Sequence, residues 1–248
     1  MVERPTPTIG RPERAVGHGP SGTGHHHAAP GAIEDNGGMP DHFSLEGRHV
    51  RLLPMDLGHV DGLLAAATAD RSTFEFTPVP WDRPSMNGYV EAALARRESG
   101  DQFPFVTWSV DAGRVVGSTR FYDLTPWDWS SLYPGSDARQ RHRRPDTANI
   151  GYTWLEPSAQ RTPVNTEAKL LMMAHAFERW EVRAVRLQTD ARNARSRAAI
   201  ERLGCSLDGV IRAERPASDG TVRDTAVFSM LPGEWPVHRR RLFEHLGK

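Results

Sequence analysis

Residues 157–205 constrain the fold of this chain more than any other stretch, because a helix, a strand and a second helix follow one another there. In the first helix Leu170, Met173 and Phe177 recur at helical spacing, which predicts a largely buried helix. Residues 184–190 then alternate apolar and polar side chains, the period of a strand with one packed face. A strand between two amphipathic helices favours a mixed α/β fold over a helical bundle or a β-sandwich.

The first helix is predicted to begin at a polar loop. Thr162 is a suitable N-cap, and Pro163 suits the first helical position, where a missing NH has no helical partner. Val164, Asn165 and Thr166 then offer backbone donors at the positive end of the helix dipole, an arrangement that can hold a pyrophosphate. The same residues also suit an ordinary capped core helix that leaves a loop, so this feature alone leaves both interpretations open.

The second helix carries two further polar candidates. Asn193 is a good N-cap and Gly204 a good terminator, so the helix is predicted between them. Ser196, Ile200 and Leu203 fall on one helical face, which must look toward the sheet. Ser196 is therefore the first polar group on a buried stripe, and its hydroxyl either serves a site or shares the cap with Asn193.

More strands and helices are predicted on both sides of this region. Alternation around Asp111-Ala112-Gly113 predicts a β-hairpin of the short-loop kind. The remaining elements are a first strand over 45–52, helices over 57–69 and 86–98, hairpin strands over 105–110 and 114–121, a fourth strand around 150–154, and two final strands over 206–211 and 221–230.

Four segments carry a combination of motifs that is more specific than any one of them. They are Ile150-Gly151-Tyr152-Thr153-Trp154-Leu155, residues 160–169, residues 189–196 and Ala199-Ile200-Glu201-Arg202-Leu203-Gly204. Together they resemble the GNAT-type N-acetyltransferases, and in particular the RimJ/RimL branch that acetylates the N-termini of ribosomal proteins. The similarity extends from about Leu45 to about Trp235. It implies a GNAT-like α/β (α+β) fold with a mixed, mostly antiparallel central sheet of about seven strands flanked by about four helices.

The resemblance also implies an activity, an acetyl-CoA-dependent N-acetyltransferase in which a neutral amine attacks the thioester directly. Acetyl-CoA is then the cosubstrate, the acceptor is a protein N-terminus or a small amine, and no metal is expected. Catalytic roles are implied for Asn193, beside the coenzyme or an ordered water, and for Ser196, near the sulfur as a proton donor. The residues implied in coenzyme binding are Thr153, Trp154, Leu155, Gln160, Arg161, Thr162, Val164, Asn165, Thr166, Asn193 and Ser196.

The pyrophosphate loop departs from the family's usual Gln/Arg-x-x-Gly-x-Gly/Ala pattern. This chain reads Gln160-Arg161-Thr162-Pro163-Val164-Asn165, with Pro163 and Asn165 in the small-residue positions. Glycines in such loops allow close backbone approach, so the change predicts either a fixed variant of the loop or weaker coenzyme binding. We favour the fixed variant, because Pro at the first helical position is compatible with helical geometry.

The sequence does not identify a general base. Glu167, Asp190 and Asp224 are carboxylates on predicted elements, and each is better explained as a structural or surface charge. A non-catalytic module that binds or senses acyl-CoA therefore stays open as an alternative function. Acetylation of a small amine or antibiotic stays open as an alternative choice of acceptor.

Composition excludes several functional classes. The 31 basic and 31 acidic residues cancel, so no general field attracts nucleic acid or an anionic membrane. The single cysteine, Cys205, forms no internal disulfide, which favours a cytoplasmic protein. No apolar run approaches membrane-spanning length, and the beginning of the chain lacks an apolar signal segment. The expected partners are an amine acceptor and, as one option, a second copy in a homodimer.

Shifts in composition predict the domain boundaries. Residues 1–43 are rich in Pro, Gly, His and Thr, with too few apolar residues to offset the entropy of ordering, and predict a disordered tail. The run His25-His26-His27 within it is not expected to form a fixed metal site. Residues 44–236 are expected to form the acetyltransferase domain, and residues 237–248 a basic C-terminal extension.

Residues 123–147 form a long connection without clear periodicity, and connections of this length are usually functional or mobile. Its apolar residues are expected to cover the acceptor site, while its arginines either attract an acidic substrate or form a solvated surface run. The residues concerned are Trp127, Trp129, Leu132, Tyr133, Arg139, Arg141, Arg143 and Arg144.

Overall fold

The computed structural model describes residues 43–127 and 144–247. Within these ranges the chain forms one eight-stranded sheet and five α-helices. The strands are β1 (Leu45–Glu46), β2 (Val50–Pro54), β3 (Gln102–Ser109), β4 (Arg114–Thr125), β5 (Thr147–Leu155), β6 (Ala184–Asp190), β7 (Ser206–Pro216) and β8 (Val222–Met230). The helices are α1 (Val60–Thr68), α2 (Arg83–Glu98), α3 (Pro163–Glu178), α4 (Ala194–Leu203) and α5 (Trp235–Leu246).

The strands lie in the order β1-β2-β3-β4-β5-β6-β8-β7. Every neighbouring pair is antiparallel except β5 and β6, which are parallel. Their pairing is short and joins only residues 147–149 to residues 184–186. Beyond it the C-terminal halves of β5 and β6 are not paired with each other, and a cleft opens between them.

A β-bulge in β5 lies beside this cleft. Ser118 pairs with Trp154 and Arg120 with Gly151, so β5 carries one residue more than β4 between the two pairs. Tyr152 takes up the extra length with a left-handed φ of 50°. Such a bulge interrupts the hydrogen-bond ladder and redirects side chains, here toward the cleft.

Two apolar cores cover opposite faces of the sheet. On β3, Phe105 belongs to the core under α3 and α5, whereas Val106 belongs to the core under α1 and α2. Adjacent residues of a strand point to opposite faces, which places the two helix pairs on opposite sides. In the part of the chain that is described, no helix is both long and apolar enough to cross a bilayer.

The structure confirms the mixed, mostly antiparallel α/β fold and its helix–strand–helix region. Helix α3 begins at Pro163, and the side chain of its N-cap Thr162 accepts from the backbone NH of Val164. Strand β6 spans the predicted residues 184–190. Helix α4 follows the N-cap Asn193 and ends before Gly204, whose φ is 101°.

One additional strand arises from the predicted first strand over 45–52, which is two short strands. The turn between β1 and β2 contains Gly47, where a Cβ would collide with the carboxylate of Glu167. That carboxylate accepts the backbone NH groups of Arg48, His49 and Val50 at 2.9, 2.6 and 2.9 Å. A contact with a residue more than a hundred positions away therefore breaks the strand, which local periodicity cannot show.

One additional helix arises at the C-terminus, where a basic extension was expected from residue 237. Residues 235–246 form α5, which packs against α3. Its Trp235 and Leu242 are buried, and Leu246 is partly buried against the same core. The run Arg239-Arg240-Arg241 obscured this apolar stripe, whose members recur seven and then four residues apart.

Phe43, the last residue of the expected tail, packs on the domain. Its ring lies 4.2 Å from the ring of His175 and 4.3 Å from that of Phe103, centroid to centroid. Residues 1–42 lie outside the described part, so the disordered tail and its histidine run stay predictions.

The connection over 123–147 is described only at its two ends. The backbone NH of Trp127 donates to a carboxylate oxygen of Asp146 at 2.8 Å, and a guanidinium nitrogen of Arg144 lies 3.8 Å from the carboxylate of Glu181. Neither Trp127 nor Arg144 lines the cleft. The expected roles of the other members concern residues outside the described ranges, namely Trp129, Leu132, Tyr133, Arg139, Arg141 and Arg143.

Candidate active site

The open halves of β5 and β6 bound a cleft of about 830 Å³. The N-terminal ends of α3 and α4 line one part of it, which we call the α3/α4 end. Another part, which we call the acceptor end, is lined by tyrosines of α2, β4 and β5, by residues 215–218 and by Arg223. Of the residues that the sequence assigned to the coenzyme, those lining the cleft are Thr153, Trp154, Leu155, Gln160, Arg161, Asn165, Asn193 and Ser196.

At the start of α3, only some of the residues that the sequence assigned to the coenzyme line the cleft. The Thr162 hydroxyl oxygen accepts a hydrogen bond from the Val164 NH at 3.4 Å, so this NH is engaged in capping the helix. Thr162, Val164 and Thr166 do not line the cleft with their side chains. Asn165 does, and its side-chain Oδ1 is buried with no hydrogen-bond partner among the described residues. Arg161 lines the cleft from a left-handed position with a φ of 61°.

Gln160 fixes the loop before α3 to two other parts of the fold. Its amide Nε2 donates to the backbone carbonyl of Leu155 and to the hydroxyl of Thr73, each at 2.8 Å. The Leu155 carbonyl is therefore engaged by the protein itself. Gln160 has a positioning role here, since it joins the end of β5 to the connection over residues 73–78.

Asn193 and Ser196 lie together at the start of α4. The Asn193 side-chain oxygen accepts the Ser196 backbone NH at 2.9 Å, which is the capping contact expected from the sequence. Both side chains also line the cleft. The Ser196 hydroxyl makes no hydrogen bond with any described residue, so it is available to a ligand.

Lys169 borders the cleft, and the sequence did not identify it as a site residue. It is on α3 and only 3% exposed, yet it borders the cleft. Its Nζ lies 2.9 Å from the Thr119 hydroxyl and 2.6 Å from the Thr153 hydroxyl, and no described carboxylate contacts it. Burial lowers the pKa of Lys169 to about 7.

Helical spacing provides a signal that would have identified Lys169. It precedes the buried residues Met172, Met173 and Ala176 by three, four and seven positions, so it shares their inward face. A lysine on an apolar face is exceptional unless it is paired or functional.

The three carboxylates considered as bases are engaged elsewhere. Glu167 accepts the three backbone NH groups of the β1–β2 turn. Asp190 forms a two-pronged pair with Arg192 at 3.0 and 2.8 Å, which lowers the pKa of the carboxyl. Asp224 accepts the backbone NH of Ala213 at 2.8 Å. All three therefore stabilise turns or bulges of the fold.

A model of the acetyltransferase (GNAT) domain matches residues 49–206, more than half of the chain. The chain belongs to the GNAT acetyltransferase family. It is accordingly an N-acetyltransferase, and the cleft beside the short β5–β6 pairing, the bulge and the two helix N-termini is its candidate active site.

Solved structures with a similar fold agree with this assignment. A GCN5-related N-acetyltransferase from Brucella melitensis is 27% identical with a TM-score of 0.71, over 84% of this chain and 86% of that one. A T. thermophilus protein described as an acetyltransferase is 30% identical with a TM-score of 0.65, over 82% and 96%. Mycobacterium smegmatis RimJ, solved with CoA-disulfide, shares the fold at 20% identity and a TM-score of 0.64, over 79% and 88%. No curated protein sequence matches this chain.

At the acceptor end, the acetyltransferase surrounds a buried guanidinium with aromatic rings. Arg120 is 4% exposed, and its guanidinium carbon lies 4.9 Å from the ring centre of Tyr89 and 4.2 Å from that of Tyr152. One of its nitrogens donates to Gln102 at 2.9 Å, while Nε and Nη2 have no partner among the described residues. The Tyr122 ring lies edge-on to Tyr152 with centroids 5.3 Å apart.

Two more guanidinium groups line the same end of the cleft. Arg215 pairs with Glu214 at 2.5 Å. Arg223 donates to the Thr225 hydroxyl at 2.9 Å and has no carboxylate partner within the described ranges. Burial and the charge of Arg215 lower the pKa of Arg223. Of these two arginines, only Arg215 is therefore paired with a described carboxylate. None of the described residues forms a cluster of metal-ligating side chains.

Proposed function

We propose that this enzyme uses acetyl-CoA and transfers the acetyl group to a primary amine, either a protein N-terminus or a small amine, by direct attack on the thioester. The observation that carries the proposal is the cleft between β5 and β6, into which the N-terminal ends of α3 and α4 both open. Helix N-termini suit anionic phosphates, and the rest of the cleft leaves room for an acceptor.

The α3/α4 end fits the diphosphate of a coenzyme. Arg161 and Arg195 line it, with one guanidinium nitrogen of Arg195 donating to the Thr73 carbonyl at 2.7 Å, and the first turn of α3 leaves the NH group of Asn165 without a helical partner. Pro163 removes one further donor from the loop. Charge-assisted contacts from the two arginines offset that loss, since each such contact is stronger than one from a neutral NH.

The reaction needs few side chains once the two substrates are aligned. The amine nitrogen bonds to the thioester carbon, the C–S bond breaks, and the coenzyme leaves as a thiolate that takes up a proton. Ser196 suits the role of proton donor because its hydroxyl faces the cleft and is free of other described contacts. Asn193 suits contact with the coenzyme through its amide NH₂, since its oxygen is held by the Ser196 NH.

The acceptor end favours amines that carry a carboxylate or phosphate. Arg215 and Arg223 line it; Glu214 pairs directly with Arg215, whereas Arg223 forms no salt bridge with a described carboxylate. Complementary charge promotes encounter and binding, so a cationic acceptor would be disfavoured. The structural likeness to RimJ supports a protein N-terminus as one acceptor, and small amines with an anionic group are the other.

Pro163 favours a second candidate function. A module that binds acyl-CoA without turnover would tolerate a loop with one donor fewer. Such a module would also need no group to accept the amine proton.

Release of free thiol from acetyl-CoA tests the proposal directly. The acceptors should include peptides that begin with Ser, Asp or Lys, and small amines with and without a phosphate or carboxylate. We expect thiol release that requires an acceptor and yields an equal amount of acetylated amine. Binding of CoA in calorimetry without any turnover would favour the binding module, and no binding at millimolar CoA would contradict both candidates.

A further inference from the structure

Lys169 occupies a place where a permanent cation would be costly. It is buried on α3 beneath the bulge of β5, and its two polar contacts are neutral hydroxyls. An unpaired charge in such surroundings is strongly destabilising, whereas a neutral amine is tolerated. The position therefore favours an amine that gains and loses a proton.

The composition of the chain supports this reading. Among the 31 basic residues, only Lys169 and Lys248 are lysines, and all the others are arginines. A guanidinium stays protonated in proteins, but a lysine amine can lose its proton when buried. Lys169, one of only two lysines, thus lies beside the cleft, where an amine that can lose its proton could act as a base.

The hydroxyls around Lys169 connect it to the cleft. The Thr119 and Thr153 hydroxyl oxygens lie 2.9 Å apart, and both are within 3.4 Å of the Gly151 carbonyl at the bulge. Thr153 lines the cleft, whereas Thr119 does not. Of the two hydroxyls that contact Nζ, that of Thr153 is therefore the one able to pass a proton between the cleft and Nζ.

Other titratable groups near the cleft are less suited to accept a proton. Burial and the charges of Asp123 and Tyr152 raise the pKa of Tyr122, and Asp190 is held by Arg192. None of the described charged or titratable groups on the elements around Lys169 contacts its Nζ. These groups are Glu46, Arg51, Arg114, Arg120, Tyr122, Asp123, Tyr152, Glu167, His175, Glu178, Arg186, Asp190, His238, Arg239, Arg240, Arg241, Glu244 and His245.

We infer that Lys169 is the proton acceptor of the acetyl transfer and is reached from the cleft through the Thr153 hydroxyl. This inference rests on the proposed function. As the amine nitrogen bonds to the thioester carbon and the C–S bond breaks, the amine proton passes to Thr153 Oγ1, whose own proton passes to the neutral Nζ. The coenzyme sulfur leaves as a thiolate and takes a proton from water, either directly or through the Ser196 hydroxyl, which regains its proton from that water. The Lys169 ammonium returns its proton to solvent before the next turnover.

Substitutions at Lys169 show whether the residue acts as a proton acceptor, as a permanent cation or only in packing. Lys169→Met keeps the length and removes the amine, and Lys169→Arg keeps a cation that cannot deprotonate. We expect both to lower kcat by on the order of a hundredfold while CoA affinity in calorimetry is unchanged. Wild-type log kcat should rise with pH to a plateau above about pH 7, and this rise should be absent from the residual activity of Lys169→Met.

The two threonines provide a matched pair. Thr153→Val removes the hydroxyl that borders the cleft, and Thr119→Val removes one that contacts Nζ without bordering it. We expect the first to lower kcat at least tenfold more than the second. Equal effects in the pair would show that the hydroxyls only support Lys169 structurally.

Several results would overturn the inference. Near-wild-type kcat in Lys169→Arg would show that a cation suffices, and an unchanged pH profile in Lys169→Met would show that another group accepts the proton. Acetylation of Lys169 itself during turnover, seen by mass spectrometry, would also contradict it, because an amide has no basic nitrogen. If Lys169→Met fails to fold, the wild-type pH profile and the threonine pair still decide. Absence of turnover in the wild type would instead contradict the proposed function.

Discussion

Asn193 and Ser196 combine a role in the fold with a place in the cleft. Their capping contact at 2.9 Å accounts for the start of α4, while both side chains also border the site. A capping role and a functional role predict different losses when each side chain is truncated.

We predict that Asn193→Ala raises the KM for acetyl-CoA and destabilises the fold by about 1 kcal/mol, the usual contribution of an N-cap. Ser196→Ala should lower kcat by on the order of tenfold with little change in melting temperature. Steady-state kinetics and thermal melting of the purified variants measure both effects. Wild-type kinetics in both folded variants would show that Asn193 and Ser196 only cap the helix.

Lys169 should leave a signature in stability as well as in rate. Between its folded pKa of about 7 and its ordinary value of 10.5, the unfolded chain holds a proton that the folded protein lacks, so the unfolding free energy rises with pH. The Lys169→Met variant lacks this pH-dependent contribution to the unfolding free energy. We predict that it is more stable than the wild type at pH 6, by up to roughly 5 kcal/mol, and that the difference shrinks between pH 7 and pH 10.

Urea unfolding at a series of pH values measures this difference. Met172→Leu changes a buried neighbour on the same face of α3 without removing a charge, so it should keep the wild-type pH dependence. A gap between wild type and Lys169→Met that is constant from pH 6 to pH 10 would show that Lys169 has an ordinary pKa in the fold.

At the scale of elements, the sequence predicted the helices and strands whose ends depend on neighbouring residues. Helix α3, strand β6 and helix α4 could be placed closely because caps and apolar periodicity mark their ends. The split between β1 and β2 and the bulge at Tyr152 could not, since each depends on residues far away in sequence. The contacts of Lys169 with Thr119 and Thr153 are non-local for the same reason.

The C-terminal helix α5 provides a prediction about stability. Leu242 is 4% exposed in the core under α3, whereas its neighbour Phe243 is 72% exposed. We predict that Leu242→Ala destabilises the fold by about 2 to 5 kcal/mol, while Phe243→Ala changes stability by less than about 0.5 kcal/mol. Chemical denaturation compares the two. Equal small effects would mean that α5 contributes little to the stability of the domain, as would suit the basic extension that the sequence suggested.

At the scale of the whole molecule, a chain with balanced total charge lines its cleft with several arginines. Total acidic and basic residues cancel, yet the acceptor end contains Arg215, which pairs with Glu214, and Arg223, which forms no salt bridge with a described carboxylate. Selectivity among acceptors should therefore follow local rather than net charge.

We predict that phosphoethanolamine is a better acceptor than ethanolamine, and that Arg223→Gln lowers this preference by on the order of tenfold in kcat/KM. Arg212→Gln removes an exposed arginine of β7 that does not line the cleft and should leave the preference intact. Peptides beginning with Asp or Asn provide the same comparison for carboxylates. A preference that is unchanged in Arg223→Gln, or equally reduced in Arg212→Gln, would contradict this account.

The claim that the cleft between β5 and β6 binds the coenzyme is tested most directly by calorimetric titration of CoA into a cleft-filled variant. Ala199 on α4 lines the cleft, and Glu201 on the same helix is exposed and does not. The account predicts that wild type and Glu201→Trp bind one CoA per chain, and that Ala199→Trp binds at least about tenfold more weakly with an unchanged melting temperature. Equal CoA affinity in all three proteins would place the coenzyme elsewhere and contradict it.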